Sequence, residues 1–168
     1  DQPAPASDLL TWFEDGARIP AAFLKSYNRD LLLNNKLTQP AGFAVRGAPI
    51  DLATIAAPML VIALKDDHVS AWEAVYRGAR HLRADFILGG SGHNAGVINP
   101  PSRNKHGFWT NVARPEAADE WLAAADRHEG SWWPLWTQWL DGHGGKSVPA
   151  RAIKDGIEPA PGSYVMMA

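Results

Sequence analysis

The period of apolar and polar positions changes several times along the chain. Residues 8 to 37 carry helical signals: Ser7 or Asp8 can cap Leu9-Leu10-Thr11-Trp12-Phe13. After Pro20, the segment Ala21 to Leu37 places Phe23, Tyr27 and Leu31 at near-helical spacing, with Leu32 and Leu33 less regular. Two helices are expected, the second one long. Gln39-Pro40-Ala41-Gly42 breaks the pattern, Phe43-Ala44-Val45-Arg46 is a short strand, and Gly47-Ala48-Pro49 turns the chain. Asp51 to Ile55 is a connector. Pro58 to Leu64 is a continuous apolar run of strand length, as expected of a parallel strand covered on both faces.

Trp72 to Leu82 then reads as an amphipathic helix with His81 in its last turn, and Ala84 to Leu88 as the next strand. Gly89-Gly90-Ser91-Gly92 lets the chain turn sharply before His93. Strand, helix, strand, each strand closing on polar residues, is the layout of an open parallel sheet with flanking helices, an α/β fold. Val97 to Lys105 is a loop with two prolines and a basic tip. Glu116 to His128 is expected to be a helix around Trp121-Leu122, and Ser131 to Leu140 another, with Pro134 tolerable in its first turn and Asp141-Gly142-His143-Gly144-Gly145 as its stop. The tail from Lys146 is expected to be irregular.

Composition adds bounds to this picture. The 168 residues, 46% hydrophobic and 20% charged, suit one globular domain with a substantial core. A net charge of −2 without long runs of one sign gives no indication of nucleic-acid binding. The absence of cysteine excludes disulfides, thiolate metal sites and a cysteine nucleophile within these residues. The first residues have neither the basic nor the apolar segment of a signal peptide. No apolar stretch approaches the roughly 18 to 20 residues of a membrane span. Five of the eight tryptophans fall between Trp121 and Trp139, which suits a helix docked against something large.

The candidate chemistry lies at the two strand ends, Ala63-Leu64-Lys65-Asp66-Asp67-His68 and Gly89-Gly90-Ser91-Gly92-His93-Asn94-Ala95-Gly96. A triad nucleophile needs an imidazole within hydrogen-bond reach, and the imidazole needs a carboxylate to fix its tautomer. Asp67 and His93 suit those two roles, with acid before histidine in the order of α/β-hydrolases. Asp66 competes with Asp67, and spacing does not choose between adjacent carboxylates. The plainer alternative makes Asp67 a helix cap and His93 a loop residue held by backbone. His68 is a second-shell or substrate-contacting candidate, against a polar residue at a helix start. Ser91 follows the acid and lacks the second elbow glycine, so it is a poor nucleophile. His106, His128 and His143 lack metal-ligand spacing and no metal is expected. Arg103 and Lys105 read as a solvated loop tip that a phosphate could meet. The nucleophile elbow that should precede the acid, Gly-x-Ser-x-Gly or its cysteine variant, is absent from these residues.

Ser91-Gly92-His93-Asn94-Ala95-Gly96-Val97-Ile98-Asn99-Pro100-Pro101, with Asn104-Lys105 and Trp109-Thr110-Asn111, resembles the poly(3-hydroxyalkanoate) synthases. The likeness extends to Trp12, Asp15, Ile19-Pro20, Tyr27-Asn28-Arg29, Asn35 and Val45 to Ala57. It continues through the acid motif Asp66-Asp67-His68, Gly130-Ser131-Trp132-Trp133-Pro134-Leu135-Trp136, and Glu158 to Val165. The class I type, acting on short-chain substrates, is the closest. The resemblance implies the C-terminal portion of an α/β-hydrolase-like catalytic domain over residues 1–168, with 1–45 part of a cap or lid and the nucleophile half outside the chain.

The implied chemistry is attack by an upstream cysteine on an (R)-3-hydroxyacyl-CoA thioester, growth of a polyester on that cysteine, and release of CoA, so the enzyme is an acyltransferase. The acid maps to Asp67 and the base to His93. His68 and Asn94 are expected beside them as substrate or second-shell contacts; Asn94 departs from the pattern, since many members carry an apolar residue there. No cofactor is implied. Expected partners are the acyl-CoA substrate, the polyester product and the granule surface in the cytoplasm, with a homodimer left open and no nucleic acid or membrane span. The other readings are an esterase or polyester depolymerase with an upstream serine, and a non-catalytic module that binds polymer granules. The chain alone is expected to be inactive.

Overall fold

Residues 16–152, 156–159 and 162–163 are described by the computed structural model. The expected first helix around Leu9 to Phe13, Trp12 and Asp15 in the motif, and Tyr164-Val165 lie outside the described residues. Helix α1 (Ala21–Ser26) passes directly into a π-helix, Tyr27–Leu33, in which the Asn34 N–H donates to the Arg29 carbonyl at 3.1 Å. The expected long helix therefore ends at Asn34; Asn35 takes the left-handed conformation (φ 45°) and Lys36–Thr38 adds one 3-10 turn. Buried Asp30 ties this segment together. Its carboxylate accepts from Ser26 Oγ at 2.9 Å, Arg29 Nη2 at 2.8 Å and Lys36 Nζ at 2.8 Å, and these donors, Arg29 first, hold it well below the usual carboxylate range.

Strands β1 (Phe43–Val45) and β2 (Ala48–Ile50) form an antiparallel hairpin. The expected turn at Gly47-Ala48-Pro49 is corrected, because Ala48 and Pro49 pair with Val45 and Ala44. The reversal is made by Arg46 and Gly47, both at positive φ (51° and 83°), as a two-residue type I′ connection requires. Asn or Asp usually announces the first of those positions, so an arginine there hid the signal.

Strand β3 (Leu60–Leu64), helix α2 (Trp72–His81) and strand β4 (Asp85–Gly89) form the anticipated parallel unit, with Leu60 opposite Asp85 and Leu64 opposite Gly89. Beyond β4 the sheet is mixed. Strand β5 (Phe108–Thr110) runs antiparallel to β4; helix α3 (Ala118–Ala123) follows, and strand β6 (Asp126–His128) runs antiparallel to β5, giving the order β3-β4-β5-β6. A purely parallel sheet and a single helix over Glu116 to His128 are both corrected. Three-residue strands are too short to show a period of two, and pairing of Asp126–His128 with β5 overrides a helix-compatible composition. Helix α4 (Trp133–His143) has Pro134 in its first turn and continues through Gly142 before stopping at Gly144.

Two cores sandwich the sheet. On one face Trp72, Tyr76 and Ala79 of α2 and Trp121 of α3 pack against Ala63, Phe86 and Leu88. On the other, Ile87, Phe108 and Trp132 form a smaller cluster with Leu60, Ile62, Trp133 and Leu135. The tryptophans between 121 and 139 are thus divided, Trp121 lying on one face and Trp132 and Trp133 on the other. Among the described residues no helix is long and apolar enough to cross a membrane.

Candidate functional site

The backbone ladder between β3 and β4 continues past their ends and brings the two candidate segments together. Lys65 N–H donates to the Gly89 carbonyl at 2.9 Å and Asp66 N–H to the Ser91 carbonyl at 3.1 Å. Parallel pairing in this register delivers residues 67 and 93 to the same end of the sheet, although 26 positions separate them. Ser91 helps make the bend by adopting a φ of 74°, and its carbonyl belongs to this extension.

Asp67 Oδ2 lies 2.8 Å from His93 Nδ1. The other carboxylate oxygen, Oδ1, accepts the N–H groups of Val69 at 2.8 Å and Ser70 at 2.9 Å. The helix-cap reading of Asp67 is corrected: the N-cap of α2 is Ala71, without a side-chain bond, and Asp67 instead closes the turn ahead of the helix with one oxygen while the other meets the imidazole. Asp66 is exposed and not part of the pair. Exposure differs between the partners, 8% for the Asp67 side chain and 45% for that of His93. A shielded carboxylate behind an accessible imidazole is the order a proton relay needs. With Asp67 ionised, His93 donates from Nδ1, and its Nε2 is left to take a proton.

The Ser70 N–H, then the His93 bond, lowers the Asp67 carboxyl from 3.8 to about 2. A carboxyl lowered on folding contributes stability above its unfolded value and loses it as pH falls through its folded value. The stability difference between the native chain and Asp67→Asn should accordingly shrink as pH drops from about 4 to about 2. Urea denaturation of both proteins across that interval checks this; a difference independent of pH would contradict it.

The other sequence candidates are more loosely placed. His68 is exposed, its ring edge-on to His93 with centroids 6.5 Å apart. The Asn94 side chain is exposed and makes no hydrogen bond among the described residues, while its carbonyl accepts from Ile98 N–H at 3.0 Å. His128 stacks on Phe108 and lies 2.8 Å from Thr110 Oγ1 through Nε2; His143 stacks on Trp139. Arg103, Lys105 and His106 are exposed.

A buried polar network behind the histidine was not anticipated. Asn99, 2% exposed, donates from Nδ2 to the Lys105 and Gly130 carbonyls and accepts the Lys105 N–H at Oδ1. Buried Ser131 donates from Oγ to the Asn99 carbonyl, and its own N–H donates to Asn104 Oδ1 at 3.0 Å. Gly130 has a φ of 85°, which favours glycine, and a Cβ there would lie 2.1 Å from that same Asn104 oxygen and displace it. Asn99 stands before two prolines and Ser131 before two tryptophans, but nothing in the sequence pairs the two.

No protein-family profile matches the chain. Comparison with curated proteins finds the poly(3-hydroxyalkanoate) polymerase subunit PhaC of Cupriavidus necator, 45% identical over 165 residues, 94% of this chain and 28% of that protein. Poly(3-hydroxyalkanoate) polymerase 2 of Ectopseudomonas oleovorans is 40% identical over 169 residues, 96% of this chain and 30% of that protein. The poly(3-hydroxyalkanoate) polymerase of Methylorubrum extorquens is 40% identical over 173 residues, 98% of this chain and 28% of that protein. The chain spans less than a third of the length of these relatives.

Proposed function

We propose that this chain, a relative of the poly(3-hydroxyalkanoate) polymerases along nearly its whole length, supplies the acid and base of an acyltransferase whose nucleophile lies in another part of the protein. The observation that carries the reading is the 2.8 Å bond from Asp67 to His93, made by residues 26 apart on neighbouring strand ends. In an α/β-hydrolase-like arrangement, an upstream cysteine approaches Nε2 of His93 and passes its thiol proton to the ring. The resulting thiolate attacks the carbonyl of an (R)-3-hydroxyacyl-CoA, CoA leaves as the thiol after reprotonation, and an acyl thioester remains. Asp67 holds the ring in the tautomer that receives the proton and stabilises its cation. For elongation the same base takes the proton of the incoming 3-hydroxyl group, whose oxygen attacks the enzyme-bound thioester; the ester C–O bond forms as the C–S bond breaks, the leaving cysteine thiolate takes the proton back from the ring, and the lengthened acyl-CoA then re-acylates the cysteine with release of CoA.

Two features of the fold support a catalytic unit completed by other residues. The far edge of β3 pairs with no strand among the described residues, and Leu60, Val61 and Ile62 on it are only partly buried. An apolar, unpaired edge of this kind is normally covered by another strand. On this reading residues 1–45, of which 1–15 lie outside the described residues, belong to a cap or lid, His68 and Asn94 serve as substrate or second-shell contacts, and the work takes place at a granule surface.

The test compares the chain alone with the intact protein, both given (R)-3-hydroxyacyl-CoA. The intact protein is expected to release free CoA and form polyester, and the chain alone to do neither. Polymer made by the chain alone, or an intact protein that hydrolyses esters without polymerising, would overturn the proposal.

A further inference from the structure

The turn that carries His93 is held from behind by two adjacent indoles. Residues 92–98 wind through Gly96 N–H on the Gly92 carbonyl and Ile98 N–H on the Asn94 carbonyl, each at 3.0 Å. Carbonyls at the end of such a turn have no partner further along it, and here Pro100 and Pro101 contribute no N–H. Trp132 Nε1 donates to the Gly96 carbonyl at 3.1 Å, and Trp133 Nε1 to the Val97 carbonyl at 2.9 Å, which also receives Asn99 N–H at 3.0 Å. Consecutive tryptophans therefore meet consecutive carbonyls in a fixed register. Trp132 is buried, so without its N–H the Gly96 carbonyl would be left unpaired away from water.

The turn is equally confined on its other side. A Cβ at Gly96 would lie 2.5 Å from the Gly90 carbonyl oxygen and 2.5 Å from Leu64 Cδ2, so the backbone rests directly on the ends of β3 and β4. The Asn99 to Ser131 bond anchors the far end of the loop to the start of α4. Position 93 lies three residues from the first indole-bound carbonyl, within the same wound segment. The His93 ring is 45% exposed and is fixed by side-chain bonding only at Nδ1, so the direction of Nε2 depends on where this backbone sits.

We infer that Trp132, assisted by Trp133, is a positioning residue for His93, acting through the Gly96 and Val97 carbonyls to set the imidazole on the line between Asp67 and the incoming nucleophile. This rests on the acid and histidine reading above and names what holds its geometry. Loss of one such hydrogen bond should lower the population of the productive arrangement about fivefold, and with it kcat, without changing substrate affinity.

The experiment replaces Trp132 in the intact polymerase by 3-benzothienylalanine, which keeps the two-ring shape and substitutes sulfur for N–H, and in parallel by 5-fluorotryptophan, which keeps the N–H. The expected result is a fall in kcat of about fivefold with KM unchanged for the sulfur analogue, and a wild-type kcat for the fluorinated one. Wild-type turnover with the sulfur analogue, or an equal loss with both, would overturn the inference. Asp67→Asn is measured in the same assay. If it is inactive while the sulfur analogue turns over normally, only the role of the indole fails; if it turns over normally, the acid and histidine reading fails as well.

Discussion

On the proposed function, His93→Ala in the intact protein should lower the rate of CoA release on the order of 10³-fold, and Asp67→Asn by about 10²-fold. The ranking follows from the geometry. Without the His93 imidazole the group bonded to Asp67 that takes the nucleophile's proton is lost, whereas Asn at position 67 preserves shape and removes the charge that fixes the tautomer. Because Asp67 Oδ1 also receives the Val69 and Ser70 N–H groups, an amide could keep its oxygen on those donors and turn its NH2 toward His93. The ring would then accept at Nδ1 and carry its proton on Nε2, the wrong tautomer for a base. Steady-state CoA release with purified variants checks both values. Equal activity of His93→Ala and wild type would remove the base from the scheme, and a normal rate for Asp67→Asn would remove the acid.

The largest expected effect on stability lies away from the site. Trp121 is completely buried and sits among three aromatic neighbours: Phe86 at 5.0 Å and 84°, Tyr76 at 5.6 Å and 45°, and Trp72 at 6.4 Å and 50°. Truncating such a side chain removes its buried area and leaves a cavity that three rings on a sheet and a helix cannot close. Trp121→Ala should cost about 3–5 kcal/mol, and Trp121→Phe clearly less because the edge-to-face packing on Phe86 is partly retained. Urea denaturation of the intact protein, followed by the fluorescence of the remaining tryptophans, measures the difference. A loss below about 1 kcal/mol would mean that this core can collapse around the missing indole.

Trp121 also marks where the sequence was legible and where it was not. The parallel unit from Pro58 to Leu88 was readable because a continuous apolar run, an amphipathic helix and a second apolar run each have the length of their element. Asp67 and His93 were readable for the same reason, since parallel pairing of those runs forces their ends together. The choice of Asp67 over Asp66 was not readable from spacing, because it depends on which carboxylate the turn points at the ring. Strands β5 and β6 escaped notice because each has three residues and is defined by its partner rather than by its own pattern. The network of Asn99, Ser131 and the two indoles escaped for a related reason: its partners lie about thirty residues apart and meet through backbone carbonyls, which carry no residue-specific signal.

The central claim is that His93, held by Asp67, deprotonates a nucleophile belonging to another part of the protein. Rapid-mixing measurement of the first equivalent of CoA released from (R)-3-hydroxyacyl-CoA tests it most directly, because that step needs the nucleophile and base but no elongation. The account predicts a first-turnover release from the intact wild-type protein and its loss in His93→Ala, with the substrate still bound. A first-turnover release in His93→Ala as fast and as large as that of wild type would contradict it.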